Sequence, residues 1–360
     1  RVDLGGGHQV GGYLAWQIRL LDQYIAGYPR VCSAKPQAAF PMVPDSIHLP
    51  AHQASNEVRY LTRMFLWCLW HHRQSPGTGN SGASKLNTHR MRNTMAQASP
   101  TALFDAKRLE YFRPAHCSPD EWLARVELAA CYRVFAHRGW AEEIFNHISV
   151  RVPGPLRHFL INPFGLHYSE VTAHNLVKID IDGNAIDDTP YLVNRAGFVI
   201  HSAIHNARDE AHCVIHTHHS AGLAVACKEE GLSYDNFYAA FLYGRVAYHD
   251  FEGVAVNADE QPRLVASLGD KTCLILRNHG LLVAERDLAQ AFYWMYVMHR
   301  ACEIQVLSHG MAGANRPLTR AACEYSASNV VTSDPEGVLY SKVFAGAVRS
   351  AGITLDSLVA

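Results

Sequence analysis

No stretch of this 360-residue sequence approaches the roughly 18 apolar residues a membrane-spanning helix needs. The nearest, residues 64–70, is seven residues long and runs into His71, His72 and Arg73. No membrane partner is expected. Net charge is nearly absent as well: 32 Lys and Arg stand against 33 Asp and Glu, so no field of one sign recommends a nucleic-acid partner. Cysteine pairing motifs are missing too. The nine cysteines are odd in number and form no CxxC, and Cys213, Cys227, Cys273 and Cys302 sit inside apolar runs as small core residues. With no secretory signal, this predicts reduced thiols and a cytoplasmic location.

What is present is an ordinary globular composition, 48% hydrophobic and 18% charged, able to bury a large core. Charge divides the chain unevenly, with a net +6 over residues 1–94 and −7 over the remainder. The first part lacks sustained periodicity and is rich in Gly, Pro, Ser, His and Gln. It is expected to be a disordered or non-native extension, translated upstream of a natural start at Met95. The alternative is a short folded piece around residues 60–70. Residues 95–312 read as the folded domain, with its core over 121–310, and residues 313–360 as a helical segment packing on that domain or on a neighbouring subunit.

Within the domain, Ser118-Pro119-Asp120-Glu121 is a capping box with proline at the first helical position, and Gly139 supplies the stop. Trp122, Val126, Ala129, Ala130 and Phe135 recur at roughly helical spacing between them. Strands are predicted over residues 144–152, 159–162, 191–193, 213–217, 246–248 and 272–277. Helices are predicted over 198–208, 221–230 and 287–308, with shorter ones at 325–329 and 341–351. The interleaving implies a central, mostly antiparallel or mixed sheet covered by helices on both faces, an α/β class.

One constellation carries chemistry. His216 and His218 are two apart in a predicted strand, so their side chains leave the same face, and His279 in Arg277-Asn278-His279-Gly280 supplies a third imidazole from a distant turn. Three protein ligands with open positions describe a catalytic metal site. Taken alone, His216 and His218 also fit a pair of packed core or interface histidines. His219 faces the other side of the strand. His201 and His205 stack one helical turn apart but lack the glutamate of an HExxH motif, so packing behind the metal site is the expectation, with a supporting role for His201 as the alternative.

The order Asn146-x-x-Ser149, Asn162-Pro163-x-Gly165-x-x-Tyr168-x-Glu170, His201-x-x-x-His205 with Arg208, His216-x-His218 and Asn278-His279-Gly280 resembles the class II aldolase and adducin head-domain family. The resemblance implies a three-layer αβα fold. For the sugar-phosphate aldolase and epimerase members it implies a homotetramer holding zinc through residues matching His216, His218 and His279. Iron, manganese and cobalt are the alternative ions. Zinc in those members polarises a ketone and hydroxyl pair and stabilises an enediolate. Adducin heads share the fold but serve cytoskeletal assembly.

The sequence also departs from those aldolases. Gly197 stands near the place of their glutamate base, and Phe145, Arg195 and Ala196 stand where a glycine and serines hold phosphate. Asn146, Gly165 and Arg195 are the candidate substrate-binding residues. Arg195 suits a carboxylate or a differently placed phosphate, or else a surface ion pair. Tyr238 is the candidate catalytic residue, reaching across a subunit boundary, or else an interface aromatic beside Phe237 and Phe241. Glu170 is expected to cap a following helix rather than act as a base. The function expected is a divalent-metal lyase, aldolase-like or decarboxylase-like, acting on a small hydroxy-carbonyl or hydroxy-keto acid. The alternatives are an adducin-like binding module and a non-haem iron oxygenase using the same three histidines.

Overall fold

The computed structural model describes residues 103–253, 258–334 and 336–360, without the side chains of Arg195, Ala196 and Ala258. The expectations for residues 1–94, including a start at Met95 and a folded piece at 60–70, lie outside the described residues.

Seven strands form one sheet: β1 His147–Arg151, β2 Phe159–Ile161, β3 Val177–Ile179, β4 Cys213–Thr217, β5 Val246–His249, β6 Cys273–Leu276 and β7 Gly280–Glu285. Their order is β3-β2-β1-β4-β7-β6-β5, antiparallel throughout except for the parallel β5–β6 pair. This is the expected mixed, mostly antiparallel sheet. Alternation along each strand separates two cores. On one face Ile148, Ile215, Ile275 and Val283 pack with Val126 and Phe135 of helix α2 (Pro119–Arg138) and with Phe292 and Met295 of a long C-terminal helix, Leu288–His309. On the other face Val214, Leu274 and Leu282 meet Ile200 and Ile204 of α3 (Arg195–Ala207) and Leu264 and Leu268 of helix Gln261–Leu268. Helices on both faces of one sheet give the three-layer αβα arrangement. The first helix, α1, spans Ala106–Phe112. Helix Val338–Ser350 buries Phe344, Ala347 and Val348 in the first core.

Local chemistry sets the boundaries. Ser118 Oγ accepts from the Glu121 amide at 3.1 Å, and Gly139 closes α2 at φ 70° in the left-handed region. Glu121 does not reach back to complete the box. Its carboxylate is buried and takes Arg125 Nε at 2.9 Å and Lys178 Nζ at 3.3 Å, tying α2 to β3. Tyr132 fastens the same helix to β1, its hydroxyl accepting from the Ile148 amide at 2.8 Å.

Several expected elements differ. Residues 191–193 make only a bridge, Leu192 to Phe164, and the helix expected over 221–230 ends at Ala226. Strands β3 and β7 and helix Gln261–Leu268 went unpredicted. Their short apolar stretches carry too few residues to show a period. Glu170 caps no following helix: its carboxylate accepts from the His167 amide at 2.8 Å and closes its own 3-10 turn, Tyr168–Glu170.

Candidate metal centre

Cys213–Thr217 is buried along its whole length, and His216, its fourth residue, projects to the α3 side. His218 follows just beyond the strand end on the same face. His279 arrives from the β6–β7 turn, where Asn278 adopts φ 57° and the His279 amide donates to the Leu276 carbonyl at 3.1 Å. The turn closes on β4 only because Gly280 has no side chain. A Cβ there would stand 2.4 Å from the Thr217 carbonyl oxygen and 3.2 Å and 3.3 Å from the rings of His218 and His216.

One nitrogen from each of the three histidines lies within 4.8 Å of the other two. The Nε2 atoms of His216 and His218 are 3.0 Å apart. Two nitrogens each about 2.1 Å from one tetrahedral ion stand about 3.4 Å apart, so the pair is spaced for a shared cation. Protonation supports the same fit. His216 Nδ1 sits 3.0 Å from the Leu281 carbonyl oxygen, which can only accept, so Nδ1 carries the hydrogen and Nε2 the lone pair. Burial holds the pKa of His216 well below 6.5 and lowers that of His218. Burial, followed by the charge of His218, lowers His279 to about 4. Three neutral imidazoles therefore present lone pairs at neutral pH without first releasing protons. The donor set fits a borderline divalent ion such as zinc, and ferrous iron also accepts it.

The three rings wall a cavity of about 220 Å³ together with Phe145, His147 and Phe164. Asn146 also lines it, at φ 61°, and its Oδ1 accepts from the His218 amide at 3.0 Å, fixing the main chain of that histidine. Gly165, at φ 99°, stands next to the cavity-lining Phe164. Arg195 opens α3, its side chain outside the described residues. Tyr238 packs against the core on the other side of the sheet, its ring 6.1 Å from that of Tyr296 and beneath the Arg300 guanidinium at 5.5 Å. It does not line the cavity of its own chain. His219 faces away from the cavity, stacked on His299 at 4.2 Å. His201 and His205 do pack behind the site: Ser149 Oγ lies 2.6 Å from His201 Nδ1 and 2.7 Å from His205 Nε2.

His147 is not among the residues the sequence points to. The β1–β4 register places it directly opposite His216, and the rings pack at 5.5 Å. Asn146-His147-x-Ser149 carried the signal, because alternation puts His147 and Ser149 on one face. The space near Gly197 is filled by this ring, since a Cβ at 197 would stand 2.5 Å from His147 Cε1. Burial lowers the His147 pKa to about 4. Among the described residues no carboxylate lines the cavity; the acidic charge that reaches His218 is that of exposed Glu142.

Known proteins resemble this chain. The profile of class II aldolase and adducin N-terminal domains matches residues 126–306. A Caulobacter vibrioides protein assigned to aldolase class 2 by name only is 50% identical over 191 residues, 53% of this chain and 74% of that protein. Rat alpha-adducin is 46% identical over 196 residues, 54% of this chain but 26% of the adducin. Among solved structures, an aldolase II superfamily protein from Pseudomonas syringae superposes with a TM-score of 0.63 at 42% identity, covering 66% of this chain and 94% of its own. L-fuculose 1-phosphate aldolase from Glaciozyma antarctica superposes with a TM-score of 0.57 at 26% identity, covering 68% and 96%.

Proposed function

Because the chain belongs to the class II aldolase and adducin N-terminal domain family, we propose that it is a divalent-metal-dependent lyase, aldolase-like or decarboxylase-like, for a small hydroxy-carbonyl or hydroxy-keto acid. The observation that carries this reading is the convergence of three neutral imidazoles, within 4.8 Å, on the wall of a small cavity. His216, His218 and His279 would hold the ion, which supplies Lewis-acid polarisation of a bound carbonyl oxygen. Asn146 holds the His218 main chain, and the Leu281 carbonyl orients the His216 ring. Phe145 and Phe164 bound the cavity with apolar surface and limit the water beside a bound molecule. Zinc is the expected ion, and the setting a cytoplasmic homotetramer. Tyr238 lies off the cavity of its own chain and would meet a cavity only across a subunit boundary.

The test is a turnover screen of hydroxy-keto acids and sugar phosphates with zinc-loaded protein and with His218→Ala. Metal-dependent retro-aldol or decarboxylation turnover, abolished in the variant, supports the reading; full turnover by metal-free protein contradicts it. A second reading, an adducin-like binding module, draws on the likeness to rat alpha-adducin and on the cavity wall without a carboxylate. Partner binding indifferent to chelators, with no turnover, would favour it.

A further inference from the structure

His147 is 4% exposed, and neither ring nitrogen makes a hydrogen bond of ordinary geometry, although backbone groups of Gly197 and Asn146 lie close enough to interact with the ring. A buried imidazole left in this state is unfavourable. Most of the side-chain nitrogens around it are committed elsewhere. His216 Nδ1 is committed to the Leu281 carbonyl. His205 Nδ1 donates to the Ala211 carbonyl at 2.7 Å, so His205 Nε2 accepts from the Ser149 hydroxyl and Ser149 Oγ in turn accepts from His201 Nδ1–H. The His201 ring packs against His147 at 4.2 Å with its planes tilted by 42°, and its Nε2 likewise has no hydrogen-bond partner. Against the ring stands Gly197 near the start of α3, and both residues line the cavity of the three histidines.

We propose that His147 is a substrate-contacting residue whose imidazole hydrogen-bonds an oxygen of a small hydroxy acid or hydroxy-carbonyl ligand lodged beside His216, His218 and His279. This rests on the metal-lyase reading only in that the ligand's other oxygens face those three rings. The chemistry of the ring selects the ligand class. An imidazole offers one N–H donor and one lone pair, which match a hydroxyl or carbonyl oxygen, whereas a phosphate requires cationic or multiple donors. The hydrogen bonds of Ser149 to His201 and His205 hold the wall behind the ring in place, and the cavity is the side from which a ligand can reach His147.

Glycolate, which carries both a hydroxyl and a carboxylate, is the probe, titrated calorimetrically into zinc-loaded wild-type protein, His147→Phe and His147→Gln. His147→Phe is expected to keep one zinc per chain and lose at least tenfold in glycolate affinity, with His147→Gln recovering part of the loss. Wild-type glycolate affinity in His147→Phe overturns the proposal, and so does zinc-loaded wild-type protein that binds no glycolate at millimolar concentration. Should His147→Phe fail to fold, nitrogen-15 spectra of histidine-labelled wild type decide: the His147 ring nitrogens shift on glycolate addition, or the proposal is wrong. Failure of the wild type to take up zinc is a separate result that sinks the metal reading, and the same spectra with metal-free protein then still decide on His147.

Discussion

His216 Nδ1 donates to the carbonyl oxygen of Leu281 at 3.0 Å, and that one bond between neighbouring strands turns the lone pair of Nε2 toward Nε2 of His218. A metal-ready tautomer is thereby fixed by the main chain, before any ion arrives. The same close approach of β7 to β4 explains why the residue after His279 is glycine.

Gly280→Ala tests this geometry without changing any of the three histidines. The new Cβ would stand 2.4 Å from the Thr217 carbonyl, so the turn must shift. Zinc affinity is expected to fall at least about tenfold, with a stability loss of about 1–3 kcal/mol. Calorimetric zinc titration and chemical denaturation check the two effects.

Asn146 combines a left-handed backbone at φ 61° with a side-chain oxygen on the His218 amide. Asn146→Gly keeps the backbone accessible but strands that amide, at a cost of about 1–3 kcal/mol, and lowers zinc affinity. Asn146→Asp retains an acceptor and is expected to lose less of both. Denaturation midpoints of the two variants measured in parallel give the comparison.

Tyr132 makes a similar point in the core. Its hydroxyl accepts from the Ile148 amide at 2.8 Å and the Asn162 amide at 3.2 Å. Tyr132→Phe leaves both buried donors without this partner and is expected to cost about 1–3 kcal/mol, read by urea denaturation.

Burial lowers the His205 pKa to about 3, against the 6.5 of an ordinary histidine. The folded state therefore binds fewer protons than the unfolded one between these values, and stability rises with pH across that window. The contribution is present above about pH 6.5 and is lost as the pH falls toward 3. Melting temperature is expected to drop steadily from pH 6.5 to 4, and His205→Gln to flatten the profile by up to one proton per chain. A profile equally steep in the variant contradicts this assignment.

Much of this was legible in the sequence for physical reasons particular to each element. Ser118 and Gly139 announced both ends of α2 because caps are local chemistry, and Cys213–Thr217 was readable because an unbroken apolar run must be buried. The three-histidine set was readable because strand alternation is exact enough to pair His216 with His218, while a turn motif supplied His279. Strand β7 was hidden, since Gly280–Glu285 directly follows the His279 turn and looks like its continuation. The role of His147 was hidden for a different reason: it depends on register across β1 and β4 and on the room at Gly197, and both are long-range facts. Tyr238 was expected to reach across a subunit boundary, and within one chain the sheet separates it from the three rings.

The most direct test of the central claim is calorimetric titration of Zn²⁺ into metal-free wild type, His218→Ala and His279→Ala. The account predicts one ion per chain in the wild type and affinity weakened at least about 100-fold in each variant. Unchanged stoichiometry and affinity in the variants, or no uptake by the wild type, would contradict it.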